Sequence, residues 1–89
     1  MMQIQKYPLP IGTIVRIDMP VGSKILSLHV QDDFPTLWVA VPVGAPLRPR
    51  KFAVMYTGTE IHDEMPDSFV GTALLHGGSF VVHVFELKP

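Results

Sequence analysis

The sequence predicts an all-β protein: a small antiparallel β-sandwich or partly open barrel of six to seven strands, in one domain spanning residues 1–89. Three observations carry that expectation. Apolar residues recur with period two, as in LSLHV and TLWVAV, where a helix would repeat every 3.6 residues. Nine prolines and seven glycines punctuate the apolar runs and leave no room for an amphipathic helix of any length. Short strands without helices bury their apolar faces only by packing as two layers or curling into a barrel.

Taken in order, residues 2–7 form the first expected strand, with Met2, Ile4 and Lys6 alternating against Gln3, Gln5 and Tyr7. Pro8-Leu9-Pro10 then imposes an extended bend. Residues 13–19 place Val15, Ile17 and Met19 on one face and Arg16 and Asp18 on the other, the pattern of a half-buried strand. After the turn Pro20-Val21-Gly22-Ser23, residues 24–31 put Leu26, Leu28 and Val30 opposite Ser27, His29 and Gln31. Asp32-Asp33-Phe34-Pro35 is turn chemistry: aspartates bond nearby backbone and proline stops a ladder. Residues 36–43 return with Leu37, Val39 and Val41 inward and Trp38 and Ala40 outward, which makes these two strands the clearest hairpin.

Residues 44–50 (GAPLRPR) read as a loop, and residues 51–56 as a strand with Phe52, Val54 and Tyr56 in phase. The irregular stretch 57–68 follows. The closing hairpin joins residues 69–75 to 80–88 through His76-Gly77-Gly78-Ser79. Its second arm is apolar on both faces, as a central strand or one at a subunit boundary would be.

Composition bounds the function. Hydrophobic residues are 47% of the chain and charged residues 17%, against roughly 25% charged in an average soluble protein. So small a domain cannot hide that much apolar surface, and an exposed patch is most often met by another chain. A homo-oligomer is therefore expected. A net charge of −1 offers no broad attraction for nucleic acid. No apolar run approaches the roughly 18 residues of a membrane span. The first residues lack the apolar core of a signal peptide, so a cytoplasmic protein is expected. The chain has no cysteine, which removes disulfides, thiolate metal sites and a cysteine nucleophile.

Each candidate site has a plain reading beside the functional one. Gly77-Gly78 is first a hairpin turn, because nothing after it opens a helix of the kind that cradles phosphate. His76 stands at its rim. His83 lies in phase with Val81, Phe85 and Leu87, which marks a neutral, hydrogen-bonded histidine in the core or at an interface. His29, His62, His76 and His83 have no metal-ligand spacing, and His62-Asp63-Glu64 would have to converge with distant loops. No metal or other cofactor is expected. Asp32-Asp33 and Asp63-Glu64 read as solvated turn carboxylates, and no strained nucleophile turn such as Gly-x-Ser-x-Gly occurs. The expectation is a protein that is not an enzyme. Arg48-Pro49-Arg50-Lys51 holds three of the seven basic residues in four positions, either a solubilising loop or a stiffened anion site. Trp38 is either a second layer of core or an anchor for a partner or flat ligand. Thr57-Gly58-Thr59-Glu60 could add hydroxyl and backbone donors. Together these give a candidate ligand-binding set of Trp38, Arg48, Arg50, Thr57, Gly58 and His76.

The segments MQIQKYPL, KILSLHVQDDFPTLWVAV, TGTEI and LLHGGSFVVHVFE resemble a family of small, uncharacterised phage and bacterial proteins. These end in a Gly-Gly-x-hydrophobic-His-Val-Phe-Glu motif. The matching positions are Lys6, Tyr7, Pro8, Leu9, Leu37, Trp38, Thr57, Gly58, Gly77, Gly78, His83, Val84, Phe85 and Glu86. One departure is Thr59-Glu60, where relatives place His-Pro. The resemblance implies a virus-encoded accessory protein in the cytoplasm of an infected bacterial host, acting by binding. It would sequester a small, anionic, nucleotide-derived immune signal in pockets between subunits. The alternatives are inhibition of a host defence protein and a minor structural role.

Overall fold

The computed structural model describes residues 1–10, 12–61 and 68–89. His62, Asp63 and Glu64, weighed above as loop groups, lie outside the described residues. Seven strands form: β1 (Met2–Pro8), β2 (Ile14–Pro20), β3 (Lys24–Gln31), β4 (Phe34–Pro42), β5 (Leu47–Tyr56), β6 (Ser68–Leu75) and β7 (Phe80–Leu87). They make two antiparallel sheets, β1-β4-β3 and β2-β5-β7-β6, stacked as a small open β-sandwich. Among the described residues no helix is long and apolar enough to cross a membrane.

The alternation seen in the sequence sets the core. Leu37, Val39 and Val41 of β4 face Val15, Met19, Phe52, Val54, Val82 and Val84 of the other sheet, all buried in one cluster. Leu9, fully buried, carries the chain from one sheet to the other between β1 and β2. Its amide donates to the Pro35 carbonyl at 2.8 Å, which ties the crossing to the start of β4. β7 sits between β5 and β6, so its two apolar faces belong to a central strand.

Three expectations are corrected. The first is the loop over residues 44–50, since β5 begins at Leu47 and pairs with β2 through Asp18↔Pro49 and Ile17↔Arg50. Proline is tolerated there because of the ladder's alternation. The amides of Val21 and Val54 bond across this ladder to Pro46 and Thr13, so Pro49 is a non-bonded position whose missing N–H points away from β2. On that side β7 pairs only as far as Lys51↔Leu87. No ladder bond is lost.

The second is the turn over residues 32–35, which is shorter than expected. Gln31 pairs with Phe34, and Asp32 and Asp33 alone make the reversal, with φ of 51° and 62°. Two positive φ values match the right-handed twist of a two-residue hairpin, and aspartate tolerates them.

The third is Leu26. A bulge between Ile25 and Ser27 makes it the extra residue of β3, leaving it exposed while Ile25 and Leu28 pack on the core. A matching irregularity lies between Phe69 and Gly71 of β6. Bulges bend strands, and β3 and β6 come together along this side, where Gly71 lies against Leu28. On the opposite side β1 and β2 are the edges, and no described strand joins them.

Candidate functional site

Two polar clasps stand at opposite ends of β3 and β7, one within the four-stranded sheet and reaching the β2–β3 turn, the other between turns of the two sheets. At one end Arg50 and Glu86 form a two-bond fork: Nε donates to Oε2 at 2.6 Å and Nη2 to Oε1 at 2.7 Å. Arg50 Nη1 also donates to the Ser23 carbonyl at 2.7 Å, so one guanidinium joins β5, β7 and the β2–β3 turn. The hydrogen bond it donates to Glu86 holds the Arg50 guanidinium above its ordinary pKa, with Coulombic attraction adding to it and burial opposing it.

At the other end Asp33 of the β3–β4 turn grips the β6–β7 turn. Its Oδ1 accepts the His76 backbone N–H at 3.0 Å, and its Oδ2 lies 2.7 Å from His76 Nδ1. His76 takes a left-handed φ of 49°, followed by Gly77 and Gly78 at 68° and 94°. The Ser79 hydroxyl donates to the His76 carbonyl at 2.9 Å. Leu75 pairs with Phe80 across this turn, so His-Gly-Gly-Ser is a hairpin turn, held in place from the other sheet.

Beside that second clasp the sandwich opens into a cleft of about 450 Å³, within the usual range for small-molecule sites. Leu9, Val54, Leu75 and Val82 form its floor. Phe34, Tyr56 and Phe80 stand at its walls, each about two-fifths exposed (43%, 44% and 41%). Tyr56 and Phe80 meet edge to face with centroids 4.7 Å apart, and His76 stacks edge-on to Phe80 at 5.9 Å. Among the described residues no lysine or arginine lines the cleft; Asp33 and His76 supply its polar side chains at the rim. Such a lining can stack a flat apolar body and bond it at the rim.

The six residues expected to bind ligand do not meet in one place. His76 lines this cleft. Thr57 and Gly58 line a shallower one of about 240 Å³ with His83 and Phe85. Their turn is set by the Thr57 amide donating to Val81 and the Thr59 amide to Tyr56. Arg48 and Arg50 line a groove of about 390 Å³ with Lys51 and Glu86. Trp38 lies on the outer face of the three-stranded sheet between Lys6 and Ser27 and lines none of the three.

Sequence reasoning passed over Phe34, Tyr56 and Phe80. The available signal was aromatic residues at strand ends beside turns. His83 is hydrogen-bonded, through Nε2 to the Thr57 hydroxyl at 2.8 Å and Nδ1 to the Thr72 hydroxyl at 3.0 Å. Hydroxyls donate or accept, so either neutral tautomer is satisfied.

No curated protein and no solved structure matches this chain. Over residues 1–89 it matches the family described as "Domain of unknown function (DUF7352)". The chain belongs to that family.

Proposed function

We propose that the protein is a non-catalytic binding protein that takes a small ligand with a flat, largely apolar body into the end cleft. One observation carries this reading: three aromatic rings line an open apolar cleft, where they remain in water unless something covers them. The specific form of the reading is sequestration of a nucleotide-derived immune signal by a phage-encoded homo-oligomer. A nucleobase would stack against Tyr56 and Phe80. Its anionic part would point out of the cleft toward solvent, because Arg48 and Arg50 belong to another groove of the chain and the Asp33 carboxylate lies beside His76.

Native mass spectrometry of the protein purified from phage-infected bacteria tests this. The expected result is a defined extra mass of a few hundred daltons that is released on denaturation. Phe80→Ala should abolish it with the fold intact by circular dichroism. Ligand-free protein, or an unchanged load on Phe80→Ala and on Tyr56→Ala, would overturn the assignment.

A second reading is inhibition of a host protein. It is favoured by the outer face of the four-stranded sheet, where Ile14, Phe69 and Leu74 are 64%, 59% and 58% exposed. It predicts a co-purifying polypeptide that is lost on Leu74→Asp and retained on Phe80→Ala.

A further inference from the structure

We infer that the edge of β2, which no described strand pairs, is a self-recognition surface, on which a second copy of this chain adds its own β2 antiparallel about a two-fold axis at Ile17. The inference is independent of what fills the cleft.

Backbone phase is the first argument. β2 bonds β5 through its odd-numbered residues, as the Val54→Thr13 and Val21→Pro46 bonds at either end of the ladder fix. The N–H and C=O groups of Ile14, Arg16 and Asp18 therefore point to the open side, and β2 is an edge strand of its sheet. An added antiparallel strand is bonded only if it sets even residues against even residues. Three central registers do so: Arg16 opposite Arg16, Asp18 opposite Asp18, or Arg16 opposite Asp18.

Charge chooses among them. The first two registers set like charges face to face, which destabilises a strand pair. The third places Arg16 of each copy against Asp18 of the other, twice over, and is the register centred on Ile17. It also sets Ile17 against Ile17 and Val15 against Met19 on the inner face, extending both cores. Among the described residues of the single chain Arg16 pairs with Asp18, at 3.6 Å, with side chains 65% and 53% exposed.

β2 has few of the usual defences of an edge, and its two charges are of opposite sign. It carries no lysine, and its pairing with β5 runs without a bulge. Pro20 at its end lacks an N–H on the open side and so limits how far the pairing runs. β1, the other strand on the open side, has Lys6 as its one charge and offers no such complementarity.

Charge reversal in separate chains tests the proposal by sedimentation velocity over a concentration series. Wild type should dimerise. Arg16→Asp and Asp18→Arg should each weaken the dimer at least about tenfold, with two attractive cross-strand pairs turned repulsive. Both should keep the wild-type circular dichroism, and the wild-type melting temperature at concentrations where all are monomeric, since an exposed pair contributes little to folding. Mixed in equal amounts, the two variants carry complementary edges, and native mass spectrometry should then show a one-to-one heterodimer. The doubly swapped R16D/D18R chain should also recover self-association. A wild type that stays monomeric at its highest soluble concentration, single variants that associate like wild type, or a mixture that does not recover would each overturn the proposal.

Discussion

The two ends of the sandwich use one device at different depths. At the Glu86 end a carboxylate and a guanidinium are each about one-quarter exposed (23% and 25%) and meet through a two-bond fork. At the Asp33 end the partners are 47% and 63% exposed, and water competes for the same atoms. Charge-assisted bonds strengthen as water is excluded and approach nothing measurable at the surface. One end is therefore riveted and the other only latched. The aromatic cleft lies at the latched end.

The largest effect expected on this comparison comes from Glu86→Ala. It leaves the Arg50 charge partly buried without its partner and should cost about 2 kcal/mol, less than a fully buried pair would. For a chain this size that is a fall of about 10 °C in melting temperature, read by calorimetry. The clasp also has a pH sign. A folded-state pKa raised above the unfolded one gives stability that is complete below the guanidinium's ordinary range and fades only as pH rises beyond it. Titration of Arg50 should then leave stability flat through neutral pH, and wild type and Arg50→Met compared between pH 7 and pH 9 should differ by a constant amount.

Phe80→Ala should cost about 1 kcal/mol, because the ring is already two-fifths in water, while removing ligand altogether. A variant that melts like Glu86→Ala would show the cleft end to be the stronger support. Asp33→Asn should cost less again, about 0.5 kcal/mol, and high salt should erase the difference from wild type. A loss that persists in salt would make the two clasps equal. Arg48→Ala, at an exposed position, should shift unfolding by no more than about 0.5 kcal/mol in urea titrations.

Much of the fold was legible. Leu37, Val39 and Val41 alternate with Trp38 and Ala40 because strand geometry itself has a period of two. The bulge at Leu26 was not legible, since it lies where β3 meets β6, a strand some forty residues further along. Proline misled the reading at Pro49. Whether a missing N–H matters depends on which neighbour it would have faced, and that neighbour is defined only once β5 lies between β2 and β7. Arg48 and Arg50 read as one basic feature and part company in the structure. Both lie on the same face of β5, yet only Arg50 is bonded to Glu86 and the Ser23 carbonyl.

By itself, then, the sequence determined most of the strands, most of their inward phase and the place of the hairpin turns, because period-two burial, proline and glycine act within a few residues of themselves. Tertiary structure decided which strands became neighbours. It brought Glu86 to Arg50 across 36 residues and Asp33 to His76 across 43. It also gathered Phe34, Tyr56 and Phe80 around one cleft. Such meetings follow from sheet order and stacking, which couple distant segments and leave no periodic trace in any one of them.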